Sequence, residues 1–87
     1  MEELLKELKF DREEINYLLN DLKEYSYYNV VSIVELLKKY NCHIDFIKEI
    51  CMNRADIFLI DKDRLEYILD AIVASGDIIE ETLFELL

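Results

Sequence analysis

Proline, tryptophan and glutamine are absent from this chain of 87 residues, and glycine occurs once, at Gly76. Strands joined by tight turns draw heavily on proline and glycine, so an all-β sandwich or barrel is excluded first. Long hydrophobic runs are missing too. The longest, Ile57–Ile60 and Ala71–Ala74, hold four residues each, far short of the roughly 20 that cross a bilayer. The first residues, Met1-Glu2-Glu3, are acidic and lack the basic start and apolar core of a signal peptide. The chain is therefore expected to be cytoplasmic, with Cys42 and Cys51 as reduced thiols and no membrane partner.

Positive charge is scarce as well. Ten Lys and Arg face twenty Asp and Glu, for a net charge of −10. The imbalance is uneven: residues 1–29 carry net −4, residues 30–54 net +1 and residues 55–87 net −7. Proteins that grip phosphates need a basic footprint, because counterion release supplies most of their affinity. Direct nucleic-acid binding is not expected of this chain.

What is present is aliphatic. Apolar residues make up 53% of the chain, which sets it apart from disordered sequences. At this length one domain, 1–87, is expected, burying roughly 60% of its unfolded surface. The apolar positions recur at helical spacing throughout. Leu4, Leu5 and Leu8 mark a short first helix. Asp11 and Glu14 form the capping box of a second, which carries Ile15, Leu18, Leu19 and Leu22. Tyr25–Tyr28 interrupts, and Asn29 reads as the N-cap of a third helix. That helix is apolar almost all round, with Val30, Val31, Ile33, Val34, Leu36, Leu37 and Tyr40, and is expected to be the most buried.

Asn41 closes the third helix, and a fourth runs from about His43 to Asn53 through Ile44, Ile47, Ile50 and Cys51. Ala55–Ile60 reads as extended chain or a short 3₁₀ turn. Asp61 caps a fifth helix with Leu65, Ile68, Leu69 and Ile72, and Ser75-Gly76 ends it. Asp77 reads as the cap of a sixth, whose stripe is Ile79, Leu83 and Leu86. The expected fold is an all-α bundle of about six short helices, with Leu19, Ile33, Leu37, Ile47, Leu69 and Ile72 in its core.

Shifting the sequence by 32 residues superimposes its apolar pattern. Leu5 falls on Leu37, Phe10 on Cys42, Ile15 on Ile47, Leu18 on Ile50 and Leu19 on Cys51. Beyond the next loop Asn29 falls on Asp61, Ile33 on Leu65 and Leu37 on Leu69. Phase kept across two loops predicts two tandem helical repeats of about 32 residues. Ala55-Asp56-Ile57-Phe58-Leu59-Ile60-Asp61, followed by Leu65, Ile68 and Leu69, resembles the repeat of the mitochondrial transcription termination factor (mTERF) family. Phe10–Ile15 is similar to the start of that family's repeat helix. The resemblance implies stacked helical units, and through the family a nucleic-acid-binding groove. Two departures bear on it: Ala55 stands where the family has proline, and this chain is acidic where the family's groove is basic.

Chemistry-bearing residues are few. Cys42, His43 and Cys51 are the sole thiol and imidazole groups, one short of a structural zinc set and without paired spacing, so no metal and no cofactor is expected. Adjacent helical residues point about 100° apart, which keeps Cys42 and His43 from acting as a nucleophile–base pair. Glu13-Glu14 and Glu80-Glu81 fall in first turns, where carboxylates favour the positive end of the helix dipole. With no catalytic constellation, the chain is read as a non-enzyme. Tyrosine and exposed apolar groups remain as candidates for contact with a partner. Tyr25, Tyr27 and Tyr28 form one such set. Phe84 and Leu87 form another, because they fall off the stripe of the last helix. The sequence reading is a small acidic protein-interaction module whose partner is another protein or a second copy. The alternatives are an acidic inhibitor that imitates nucleic acid, of the kind phages use against defence proteins, and an mTERF-like nucleic-acid-binding repeat protein.

Overall fold

Three of the helices end in the same way, and those ends organise the chain. In the computed structural model, which describes residues 1–87, α1 (Glu2–Glu7), α2 (Arg12–Asp21), α3 (Tyr27–Lys39), α4 (Ile44–Asn53), α5 (Lys62–Ala74) and α6 (Ile79–Leu86) are joined by loops and a 3₁₀ turn at Ala55–Leu59. No residue is in a strand. Lys9, Asn41 and Gly76, just past α1, α3 and α5, all adopt the left-handed conformation, with φ of 70°, 62° and 77°. Each closes a pair of hydrogen bonds back onto its helix. The Phe10, Cys42 and Asp77 N–H groups donate to the Leu5, Leu37 and Ile72 carbonyls, and the N–H groups of Lys9, Asn41 and Gly76 donate to Lys6, Lys38 and Val73. This is the Schellman arrangement, which satisfies orphan carbonyls and reverses the chain.

The N-cap of the next helix lies two residues after each left-handed residue. At α2 the capping box is complete: Asp11 accepts from the Glu14 N–H at 2.8 Å, and Glu14 accepts from the Asp11 N–H at 2.9 Å. Phe10 and Ile15, in the staple positions around that cap, are both buried. At α4 the cap is His43, whose Nδ1 accepts from the Asp45 N–H at 3.1 Å. At α6 the cap position is Ile78 rather than Asp77, and no side chain caps it. Asp77 is instead the last residue of the turn that ends α5.

The helices pack as the pairs α1–α2, α3–α4 and α5–α6 within a body of 38 × 21 × 20 Å. The 3₁₀ turn packs against α3 and α4, and α3 packs against α5. Helix α3 buries more residues than any other, Val30, Ile33, Val34, Leu36 and Leu37, as its all-round apolar face implies. The core is one cluster of 23 side chains with no polar member. Of the six core residues expected from the sequence, five are buried. Leu19 is half-buried, and Leu18 and Leu22 take the fully buried positions on α2.

The start of α3 departs from the sequence reading. Its N-cap is Ser26, whose Oγ accepts from the Asn29 N–H at 3.4 Å, so Tyr27 and Tyr28 belong to the first turn of the helix. Asn29 lies inside the helix, and its side-chain amide donates to the Phe58 carbonyl, tying α3 to the 3₁₀ turn. A helix beginning at Tyr27 aligns Val30, Ile33, Val34 and Leu37 in one buried stripe. Asn29, its side chain committed to the Phe58 carbonyl, does not act as the cap.

Candidate interaction surface

The expected contact residues fall on two separate parts of the surface. Tyr25 is half-buried, its ring set edge-on against Phe58 with centroids 6.2 Å apart. It is a packing residue. Tyr27 and Tyr28, in the first turn of α3, are exposed, Tyr28 to 79%. Tyr28 borders a depression of about 490 Å³ between α3 and α5, whose other walls include Ser32, Lys39, Lys62 and Glu66. This hollow is largely polar, and the Lys39–Glu66 ion pair at 3.5 Å crosses it.

Also beside the start of α5, the C-terminal residues shape a second, more apolar hollow of about 430 Å³. Leu59, Ile60, Leu86 and Leu87 line it, with Arg64 at its edge. The sequence reading placed Leu86 in the buried stripe of α6 and Phe84 outside it, and the structure reverses the two. Phe84 is half-buried, its ring 5.8 Å from that of Phe46 and capped by the Arg54 guanidinium at 4.3 Å. Leu86 is 56% exposed. The reversal has a plain cause. Helix α6 rests on α4 through Phe46 as well as on α5, whereas its last turn borders the open hollow beside the start of α5, which leaves Leu86 exposed.

Further exposed apolar side chains of the last third lie outside the sequence-predicted set, among them Leu59 at 74%, Tyr67 at 76% and Ile78 at 57%. Tyr67 had a legible signal, since it lies nearly opposite the Leu65, Leu69 and Ile72 face of an amphipathic helix. Leu59 had none, because a four-residue apolar run does not say which of its members turns outward.

Electrostatics divide the molecule. Most cations are used in the first two thirds: Lys6 and Arg12 on Glu2, Lys38 on Glu7, Lys39 on Glu66 and Arg54 on Asp56. Lys48 lies over the Phe10 ring at 4.9 Å and donates to the Lys9 carbonyl. In residues 55–87, Asp61, Asp63, Asp70, Asp77, Glu80, Glu81 and Glu85 have no cationic partner. Asp70 accepts from the Tyr40 hydroxyl, which pushes the Tyr40 pKa up to about 12. Glu80 accepts from the His43 N–H at 3.3 Å and joins α6 to the start of α4. The Arg54 guanidinium, by hydrogen bonding, holds the Asp56 carboxyl below its ordinary value.

The thiols and the imidazole do not converge. His43 is exposed and spends Nδ1 on the α4 cap, while Cys42 and Cys51 are buried free thiols. No group of three or more His, Cys, Asp or Glu side chains is placed to share a metal ion, and no helix is long and apolar enough to cross a membrane. No protein-family model, curated protein or solved structure matches this chain.

Proposed function

We propose that this chain is a small acidic protein-interaction module. One observation carries the reading. Six large apolar residues of the last third, Leu59, Tyr67, Val73, Ile78, Leu86 and Leu87, are exposed while the core beneath them is complete. Scattered exposed leucines need no explanation, but a concentration of them in the most acidic third of the chain does. Such residues raise the risk of aggregation unless a partner covers them, and net charge of one sign keeps the uncovered state dispersed.

The inhibitor reading is favoured by a different feature. Residues 55–87 carry nine carboxylates against two cations, and carboxylates spaced along helices can imitate a phosphate backbone. The tandem arrangement is likewise a proposal. It draws support from the 32-residue offset that carries Lys9 onto Asn41 and α2 onto α4, with two left-handed turns in register. The third turn, at Gly76, falls 35 residues after Asn41, because the connection from α4 to α5 is longer than that from α2 to α3.

Affinity purification from the native host, followed by mass spectrometry, tests the module reading. The expected result is a protein recovered with the wild-type chain and lost on Leu59→Ser/Tyr67→Ser. Release of that protein by added DNA, with no effect of the double substitution, would favour the inhibitor. A chain that recovers nothing, and sediments as a monomer at high micromolar concentration, would sink the module reading.

A further inference from the structure

Resting on the interaction-module reading, we infer that the solvent face of α5 is a docking face for a basic amphipathic helix of another protein. The face begins at the hollow walled by Leu59 and Leu86, where Arg64 stands at the edge. From Arg64 it continues through Tyr67, Ala71 and Ala74 to Ile78, all exposed. On α5 itself Arg64, Tyr67, Ala71 and Ala74 step by three and four residues, the spacing of a helix–helix seam, and Ile78 stands beyond the Gly76 turn. The seam lies nearly opposite the buried Leu65, Leu69 and Ile72 face, so nothing within the chain covers it. From Arg64 to Ala74 the seam runs about 15 Å, extended at one end by the hollow, which suits a partner helix of three to four turns. Tyr67 stands as an anchor, and the small side chains of Ala71 and Ala74 let a second backbone approach closely beside it.

Charge selects the occupant. Asp63 and Asp70, one heptad apart on α5, lie along one edge of the seam, the positions that set partner choice in paired helices, and Asp70 also accepts from the Tyr40 hydroxyl. The opposite edge offers Ile68 and Ser75 and no cation. A second copy laid on this face therefore brings carboxylates against carboxylates in one orientation and leaves them unmatched in the other. Like-charge juxtaposition works against such a dimer. A helix with Lys or Arg flanking a Leu or Ala stripe meets both requirements at once: it fills the hollow and neutralises the two aspartates.

The test uses the full chain and a synthetic peptide of about 18 residues built from Leu and Lys with leucines at three–four spacing. Two controls accompany it, one with Glu replacing Lys and one with the same Leu and Lys in an order that forms no apolar face. Binding is followed at physiological salt by anisotropy and by chemical-shift changes in isotope-labelled protein. The expected result is binding of the patterned Leu/Lys peptide alone, with shifts centred on Leu59, Tyr67, Ala71 and Leu86. Tyr67→Ser should weaken it by about tenfold, as loss of an anchoring aromatic does. Tyr28→Ser, equally exposed on another face, should leave it unchanged. Equal binding of the scrambled peptide, indifference to Tyr67→Ser, or absence of binding would overturn the assignment. Shifts centred on Tyr27 and Tyr28 would also overturn it while leaving the interaction-module reading standing. A dimer in sedimentation that Tyr67→Ser abolishes would give the face to a second copy and refute the basic partner.

Discussion

Cys42 and Cys51 are buried free thiols, and burial pushes their pKa values up to about 11 and about 12. The reactive form of cysteine is the thiolate, so both should be inert in the folded chain. A thiol reagent at mildly alkaline pH should label both only after denaturant is added; fast labelling of the native chain would contradict the burial. The same shifts fix a pH dependence. Each folded pKa lies above the ordinary value of 9, so the stabilisation is complete below pH 9 and is lost as pH rises through 11 and 12. Melting temperature should fall across that window, and Cys51→Ala should flatten the fall. The left-handed residues test the turns. Lys9 holds φ of 70°, which costs an L side chain about 1–2 kcal/mol, so Lys9→Gly should stabilise by about 1 kcal/mol. Gly76→Ala should destabilise by a similar amount, all of it backbone strain, since nothing lies within 4 Å of the added methyl. A neutral result in thermal melts for both would remove the strain argument. Asn41 and Gly76 were legible as helix ends because both residue types tolerate this conformation. Lys9 was not, because its φ is imposed by the burial of Leu5 and Phe10 on either side.

Among the elements, α6 shows where periodicity stops being informative. Its stripe was read from Ile79, Leu83 and Leu86, which share a face of an isolated helix. Which face is covered depends on what lies beside it, and here α4 reaches α6 through Phe46 and Arg54. Phe84→Ala should therefore destabilise the fold by about 1–3 kcal/mol, the part-buried fraction of a full aromatic deletion. Leu86→Ala should cost less than about 0.5 kcal/mol, as substitutions at exposed positions do. Denaturant melts of the two variants separate the readings, and the opposite order would restore the sequence expectation. The same limit explains α3. Ser26 and Asn29 are both good caps, and a long-range contact separates them: the Asn29 side chain is spent on the Phe58 carbonyl, which leaves the cap to Ser26. At α2, by contrast, only one capping box was available, and the chain uses it.

For the whole molecule, helix number and most of the core were legible, because a 3.6-residue period survives any arrangement of the helices. The surface was legible only in part: Leu87 is exposed as expected, Phe84 is half-buried where exposure was expected, Tyr67 had a signal in its helical phase, and Leu59 emerged only from the packing. Net charge is the one global property that sequence states outright, and it carries a last prediction. All five ion pairs of Lys and Arg are at the surface, where each contributes at most about 1 kcal/mol. Against them stands the mutual repulsion of a chain with net charge −10 whose last third has seven carboxylates without a cation. At about 0.01 M salt the screening length is about 30 Å, so carboxylates repel across most of a body 38 Å long. At about 1 M it is about 3 Å, and repulsion beyond immediate neighbours is gone. Sodium chloride screens both effects, and repulsion is the larger, so melting temperature should rise with salt. For a domain of this size each kcal/mol of relief raises it by about 4–8 °C. A melting temperature that fell with added salt would show the surface ion pairs to outweigh the repulsion.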